Sequence, residues 1–408
     1  MTSAELLAQH LAMPIHMKLS AIFTFAFALA AFAQGQTDFK SIKIDHGPYV
    51  QSLGPDSATI VWTTDSPAVS WVEIAPDDGS SFEEIDRPKF YEAPTGKKNC
   101  GSIHRIKVCG LKPATGYYYR VFSKKVVKES AEETYYGYTA ATRVFKCTPP
   151  KFKTLDCGKE SVTFSVVNDV HEKADRLKSM LGHVPKNIDF LLLNGDMVNN
   201  MRSRAEFFRS FLDVVADFSK GGTAVFSARG NHETRGVHSL AYLDYFPTST
   251  GCTYYSFRMG PAYFVVMDSG EDKPDSDVNY YDRADFDAFR ARQAAWLEGV
   301  VDSAEFKKAP VKILISHIPP SWERSHASKN LQKNFAPIIN KAGFSLILSA
   351  HLHAHKYFPK NDAIEVPNLA NSNTEMMNVT ADKDKIVVSF VDMDGKKTRA
   401  DMVFDVKK

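Results

Sequence analysis

The sequence predicts a layered α/β domain preceded by a small all-β sandwich, and three observations predict it. Residues 44 to about 148 read as a run of short alternating strands. A break follows at Cys147-Thr148-Pro149-Pro150-Lys151. Beyond it, short fully apolar runs alternate with helical stretches, the pattern of strands buried on both faces between covering helices. With 408 residues, the chain can build about two domains at ~100 to 200 residues each.

The N-terminus comes first in chain order. Lys18 follows Met17 and leads into the apolar run Ala21 to Phe32, which ends on the small-residue pattern Ala31-Phe32-Ala33 before Gln34. This reads as a signal peptide over residues 1–33, with 1–16 an upstream extension and cleavage after Ala33, so the expected location is secreted or periplasmic. No downstream run approaches ~18 apolar residues, so no transmembrane anchor is expected. Five cysteines, Cys100, Cys109, Cys147, Cys157 and Cys252, would then meet an oxidising compartment. Cys100/Cys109 and Cys147/Cys157 are the sequence-near pairs to test, spacing alone leaving connectivity open.

In the front segment, Ser57 to Thr63 alternates, Val69 to Ile74 continues it, and Ile103 to Val108 and Tyr117 to Phe122 follow. Pro55-Asp56, Asp77-Asp78-Gly79 and Pro94-Thr95-Gly96 supply turns. After the break, strands are expected at Val162 to Val167, Phe190 to Leu193, Ala224 to Ser227, Phe264 to Met267, Ile313 to Ile315 and Leu346 to Leu348. Helices are expected at roughly Lys173 to Leu181, Ser203 to Phe218, Arg283 to Ser303 and Asn330 to Lys341, with a closing hairpin turning at Asp394-Gly395.

Composition excludes one class of partner. Fifty Lys and Arg face 48 Asp and Glu, net +2, with no basic block, so nothing in the charge pattern favours nucleic acid. The chemistry lies instead in five short segments: Asp169-Val170-His171, Gly195-Asp196, Gly230-Asn231-His232-Glu233, Ser316-His317 and His351-Leu352-His353. Each follows an expected buried strand, and open α/β sheets gather ligands beyond their strands' carboxyl ends. Two carboxylates, one carboxamide and four imidazoles exceed what a single ion takes and suit two ions sharing a carboxylate.

In this order and with these residues, the stretch from about 160 to 360 resembles the calcineurin-like metallophosphoesterase superfamily. Gly47 to Ser52, Ala58 to Trp62 and Gly110 to Arg120 resemble a fibronectin-type-III-like domain of the kind found at the front of purple-acid-phosphatase-like proteins. The resemblance implies a sandwich over 44–148 and an α/β/β/α catalytic domain over 155–408. It implies that Asp169, His171, Asp196 and His353 hold one ion, and that Asp196, Asn231, His317 and His351 hold the other. His232 would be the general acid and Glu233 its orienting partner, with a hydroxide between the ions as nucleophile.

Purple acid phosphatases carry a glycine two residues after the first aspartate and a tyrosine three after the second. Here those positions are His171 and Asn199. Without a tyrosinate no phenolate-to-iron(III) colour is expected, and two divalent ions drawn from Mn, Fe and Zn are. Asn199, Arg229, Arg235 and His326 are candidate contacts for a small phosphoester substrate, each with a structural alternative as helix start or solvated side chain. A phosphomonoesterase leads. A phosphodiesterase of the same superfamily and a non-catalytic surface- or carbohydrate-binding protein are the alternatives.

Overall fold

The computed structural model describes residues 39–406 apart from 81, 83–85 and 144–146, so the proposed signal segment lies outside the described residues. The front segment forms one seven-stranded sheet: β1 (Ile44–Gln51), β2 (Ser57–Pro76), β3 (Lys89–Phe90), β4 (Cys100–Cys109), β5 (Gly116–Glu129), β6 (Thr134–Ala141) and β7 (Lys151–Lys153). The two strands expected at 57–63 and 69–74 are a single 20-residue strand. Its first half pairs with β1, its second half with β3 and β5, and β4 runs alongside it from Ser57 to Val69. The register shift falls between Thr63 and Ala68, where Pro67 has no amide to give to the ladder.

Trp62 is fully buried at the centre, its Nε1 donating to Ser123 Oγ at 2.9 Å. Beside it lies His104, 4 % exposed, its Nε2 2.9 Å from Thr64 Oγ1. Burial first, and then the Arg204 charge, push this imidazole down from 6.5 to about 4. The unfolded chain takes up that proton near pH 6.5, the folded chain only near 4. This part of the stability is therefore complete above about 6.5 and lost as the pH falls to 4, by about 3 kcal/mol at ~1.4 kcal/mol per unit. Replacing His104→Gln should flatten the unfolding free energy, measured by urea titration, across that interval; an unchanged slope would contradict the assignment.

The second segment contains two six-stranded sheets. In the first, β8 (Ser161–Val167), β9 (Phe190–Asn194) and β10 (Ala224–Ala228) run parallel, in the order β10-β9-β8, and β17 (Glu375–Asp382), β18 (Lys385–Asp392) and β19 (Met402–Asp405) continue the sheet antiparallel. In the second, β12 (Ala262–Met267), β13 (Val311–Ser316), β14 (Leu346–Ser349) and β16 (Asn368–Ala370) are parallel, edged by antiparallel β11 (Tyr255–Met259) and β15 (Lys356–Phe358).

Facing side chains interlock the sheets: Phe226 stacks on Phe257 at 3.9 Å and Phe164 meets Phe264 edge-on at 5.3 Å. Such ring pairs contribute about 0.5–1.5 kcal/mol beyond the area they bury. Helix Ala174–Gly182 and the segment Arg204–Ser219 cover the outer face of the first sheet. Helices Phe286–Asp302 and His326–Ala342 cover the second. The layers are therefore α/β/β/α.

The helix expected at 203–218 is interrupted by a π turn, Phe208–Leu212. The last helix begins at His326 because Ser325 caps it, its side chain accepting from Ser328 N. The closing turn does fall at Asp394-Gly395, with Gly395 at φ +77, but β19 starts only at Met402.

Front and rear segments share a continuous core. Tyr49 Oη donates to Tyr245 O at 2.9 Å, and the His46 ring stacks on Phe208 at 4.2 Å. Two expectations fail. Cys100 and Cys109 sit at opposite ends of the same strand, about 30 Å apart at ~3.3 Å per residue, and cannot pair. Cys147 and Cys157 are also free. Asn378, within an Asn-Val-Thr sequence that would take a glycan in a secreted eukaryotic chain, lies in β17 between β8 and β18, its Oδ1 accepting from Ser165 Oγ at 2.6 Å. The carboxamide is thus engaged within the sheet.

Candidate metal centre

Asp169 follows β8, Asp196 follows β9, Asn231 follows β10, His317 follows β13 and His351 follows β14. Because these strands are parallel within their sheets, their carboxyl ends bring the loops to one rim. The backbone is left-handed at Asp169, His171, Asp196, His351 and His353, with φ between 50° and 70°. Residues with a Cβ reach that region at a cost of about 1–2 kcal/mol each, and such strain concentrates at functional sites.

Three groups of side chains converge, each with its ligand atoms within 4.8 Å: Asp169, His171 and His353; Asp196, His317 and His351; His171, Asp196 and His232. Asp169 Oδ1 is buried without a hydrogen bond although His353 Nε2 is 3.2 Å away. His317 Nε2 is likewise buried and unbonded, 3.1 Å from Asp196 Oδ2. His171 Nε2 and His353 Nε2 face each other at 3.0 Å. Buried polar atoms that converge in this way suit a cation, and nitrogen and oxygen donors of these kinds fit first-row divalent ions.

The other ring nitrogens are already committed. His317 Nδ1 donates to Asn194 O at 2.7 Å, which turns its Nε2 toward Asp196. His171 Nδ1 donates to Asn199 Oδ1 at 3.1 Å. His232 Nδ1 donates to Asn199 O at 2.8 Å, which aims Nε2 at the cluster, 3.9 Å from Asp196 Oδ2. The Asn231 carboxamide oxygen is 3.0 Å from His351 Nδ1. Burial alone would raise the Asp196 carboxyl, but His317 outweighs it and holds the group well below the usual carboxylate range. The reciprocal pull of Asp196, against burial, raises His317.

Glu233 does a different job from the one expected of it. Its oxygens accept from the backbone amides of Asp196 at 2.9 Å, Met197 at 2.6 Å and Gly230 at 3.0 Å, not from the His232 ring. Burial pushes its carboxyl up to about 7. It fastens the Asp196 loop to the Asn231 loop, and the imidazole of His232 is oriented by the Asn199 carbonyl instead. Both glycines of these loops are needed for close approach: a Cβ on Gly195 would lie 2.7 Å from Gly230 N, and one on Gly230 would collide with Asp196 Oδ1 and Asp196 N. Gly230→Ala should therefore cost several kcal/mol, in the range of about 1–3 for overpacking or more. Urea unfolding in chelator measures it, and a loss below about 1 kcal/mol would show that the loops give way.

The candidate substrate contacts divide. Arg235 bonds Glu271 through both Nε and Nη2 at 2.7 Å, and its Nη1 lies 3.3 Å from His232 Nε2, so it stands at the cluster. Asn199 stands behind it, holding two imidazoles. Arg229 is bound to Asp268 at 2.7 Å, and His326 to Asp287 at 2.9 Å on the neighbouring helix. Residues that sequence reasoning did not single out support the first ligand: Asn168 Nδ2 donates to Asp169 Oδ2 at 2.7 Å, and Asn371 Nδ2 holds Asn168 Oδ1 at 2.8 Å. Asn168 directly precedes the Asp169 segment, which is the signal that could have marked it. Trp322 packs 5.6 Å from the His351 ring, a wall from the loop after Pro319-Pro320.

Residues 162–355 match the calcineurin-like phosphoesterase family, and residues 47–139 match the purple acid phosphatase N-terminal domain. Purple acid phosphatase 21 of Arabidopsis thaliana is 22% identical over 336 residues, 76% of this chain and 65% of its own. Serine/threonine-protein phosphatase CPPED1 of Mus musculus is 26% identical over 192 residues, 45% and 58% of the two chains. The chain thus spans less than two thirds of the length of these relatives. Among solved structures, a purple acid phosphatase isolated from yellow lupin (Lupinus luteus) seeds superposes with a TM-score of 0.61 at 14% identity, covering 87% of this chain and 73% of its own. A structure of PhoD gives 0.57 at 12%, covering 89% and 91%. At these identities the likeness is one of fold.

Proposed function

Carrying a calcineurin-like phosphoesterase domain behind a purple acid phosphatase N-terminal domain, this chain is, we propose, a phosphoric monoester hydrolase working with two divalent ions of Mn, Fe or Zn. Asp169, His171, Asp196 and His353 would hold one ion, and Asp196, Asn231, His317 and His351 the other. The observation that carries this reading is the convergence of those side chains around buried, unbonded Asp169 Oδ1 and His317 Nε2. Bound there, the ions would polarise the phosphoryl group and acidify water near neutral pH.

The chain's own residues supply the rest. Asn231 is a neutral ligand, so only two carboxylates face two cations and the site keeps positive charge for an anionic ester. His232, fixed through Nδ1 by the Asn199 carbonyl, presents Nε2 to pass a proton to the departing alkoxide. Arg235, clamped by Glu271, stands beside it with Nη1 able to meet a phosphoryl oxygen. Asn199, in the position where a tyrosinate would sit, is bonded to His171, so the loaded protein is expected to be colourless across the visible range.

No described helix is long and apolar enough to cross a membrane. Export as a secreted or periplasmic protein rests on the N-terminal sequence pattern, and the mass of the mature N-terminus tests it. For the activity, elemental analysis beside hydrolysis of p-nitrophenyl phosphate and bis-p-nitrophenyl phosphate is decisive. Two ions per chain with preference for the monoester is the expected result; one ion or none, or preference for the diester, sinks the reading.

A further inference from the structure

A cleft of about 190 Å³ is lined by Glu172, Arg202, Glu206, Arg209 and Ser210. Every lining side chain is polar or charged, with two carboxylates and two guanidinium groups. The cleft joins the centre through Glu172, which directly follows the candidate ligand His171 and whose Oε1 accepts from Asn199 N at 3.1 Å. Asn199 is the residue that fixes both His171 and His232. One wall is thus built from the same loops that hold the imidazoles.

The opposite wall comes from the segment broken by the π turn. Phe208, Phe211 and Leu212 of that turn are buried, while Arg209 and Ser210 line the cleft. π turns within helices recur at functional sites, because the added residue redirects side chains that an α-helix would present elsewhere. Charge pairing in the cleft is slack: Arg202 Nη1 is 3.9 Å from Glu172 Oε1. Among the described residues neither Glu206 nor Arg209 has an ion-pair partner, although they are three apart in the chain and border one cavity. Opposite charges held apart around an open volume leave room for a ligand carrying both signs.

We propose that this cleft is the leaving-group subsite of the centre and takes a zwitterionic alcohol, as in an O-phosphorylated amino acid, its carboxylate toward Arg202 and Arg209 and its ammonium toward Glu172 and Glu206. The proposal rests on the hydrolase reading above. In the reaction, water oxygen joins phosphorus, the bond from phosphorus to the side-chain oxygen breaks, and the hydroxyl leaves with a proton passed through His232. Free amino acid and inorganic phosphate are the products.

The test uses the metal-loaded full chain with O-phospho-L-serine, phosphoethanolamine, which lacks the carboxylate, and phosphoglycolate, which lacks the ammonium. The expected kcat/KM for O-phospho-L-serine exceeds each of the others by about tenfold. In the double variant Arg202→Ala/Arg209→Ala the ratio of kcat/KM for O-phospho-L-serine to that for p-nitrophenyl phosphate falls by about tenfold, the increment of one charge-assisted contact. No preference among the three esters, or an unchanged ratio in the variant, overturns the subsite while leaving the hydrolase intact. Failure to hydrolyse p-nitrophenyl phosphate overturns the hydrolase instead. Calorimetric titration with O-phospho-L-serine then still reads the cleft: equal affinity for wild type and variant overturns it, and weakening in the variant upholds it.

Discussion

Replacing Asp196→Asn is expected to lower metal content from two ions per chain to one or none and to cut p-nitrophenyl phosphate hydrolysis by at least about a thousandfold. Asp196 contributes to two of the three converging groups and is the one carboxylate that does, and it is 1 % exposed. A carboxamide keeps the shape but removes the negative charge and one of the two oxygens that can face cations. Losing several kcal/mol of charge stabilisation at the reacting phosphoryl group corresponds to three or more powers of ten, since each ~1.4 kcal/mol is tenfold. The measurement pairs elemental analysis with steady-state rates at saturating metal. A variant that keeps both ions and more than a tenth of the activity would show that the two sites do not depend on a shared carboxylate.

The second large effect concerns folding. Glu233→Ala removes the acceptor for three backbone amides, those of Asp196, Met197 and Gly230, in a place 2 % exposed. Each orphaned buried donor costs about 1–3 kcal/mol, so the loss should reach about 4 kcal/mol or more. His232→Ala, at a ring one quarter exposed (25%), should cost about 1 kcal/mol or less in the same assay. Urea unfolding of both variants in chelator separates the two cases without any activity measurement. Equal, small losses would restore Glu233 to the role of a mere partner for the imidazole.

That contrast shows where sequence reading succeeded and where it stopped. The buried strands were legible because a strand covered on both faces is a continuous apolar run, as in Phe190–Asn194 and Leu346–Ser349. Strand Glu375–Asp382 was not, since its sequence mixes Glu375, Asn378 and Thr380 with apolar residues although it lies in the middle of a sheet. The candidate ligands were legible because their residue types stand just past strand ends. Glu233 was misread for a physical reason: its partners are amides brought close by a loop 37 positions away, and backbone donors leave no mark in a sequence. The cysteine pairing failed likewise, because two nearby residues on one extended strand are held apart rather than together. The π turn had no signal at all, and Pro67 had one that bends a strand instead of ending it.

Five of the seven candidate ligand residues, Asp169, His171, Asp196, His351 and His353, hold left-handed backbone that glycine would adopt more easily. The rim is therefore a place where durability and chemistry oppose each other. Substitutions that relax those bends would be welcomed by the fold and ruinous to ion capture, so a heat-hardened descendant selected on survival alone should drift toward glycine at these positions and fall silent as an enzyme.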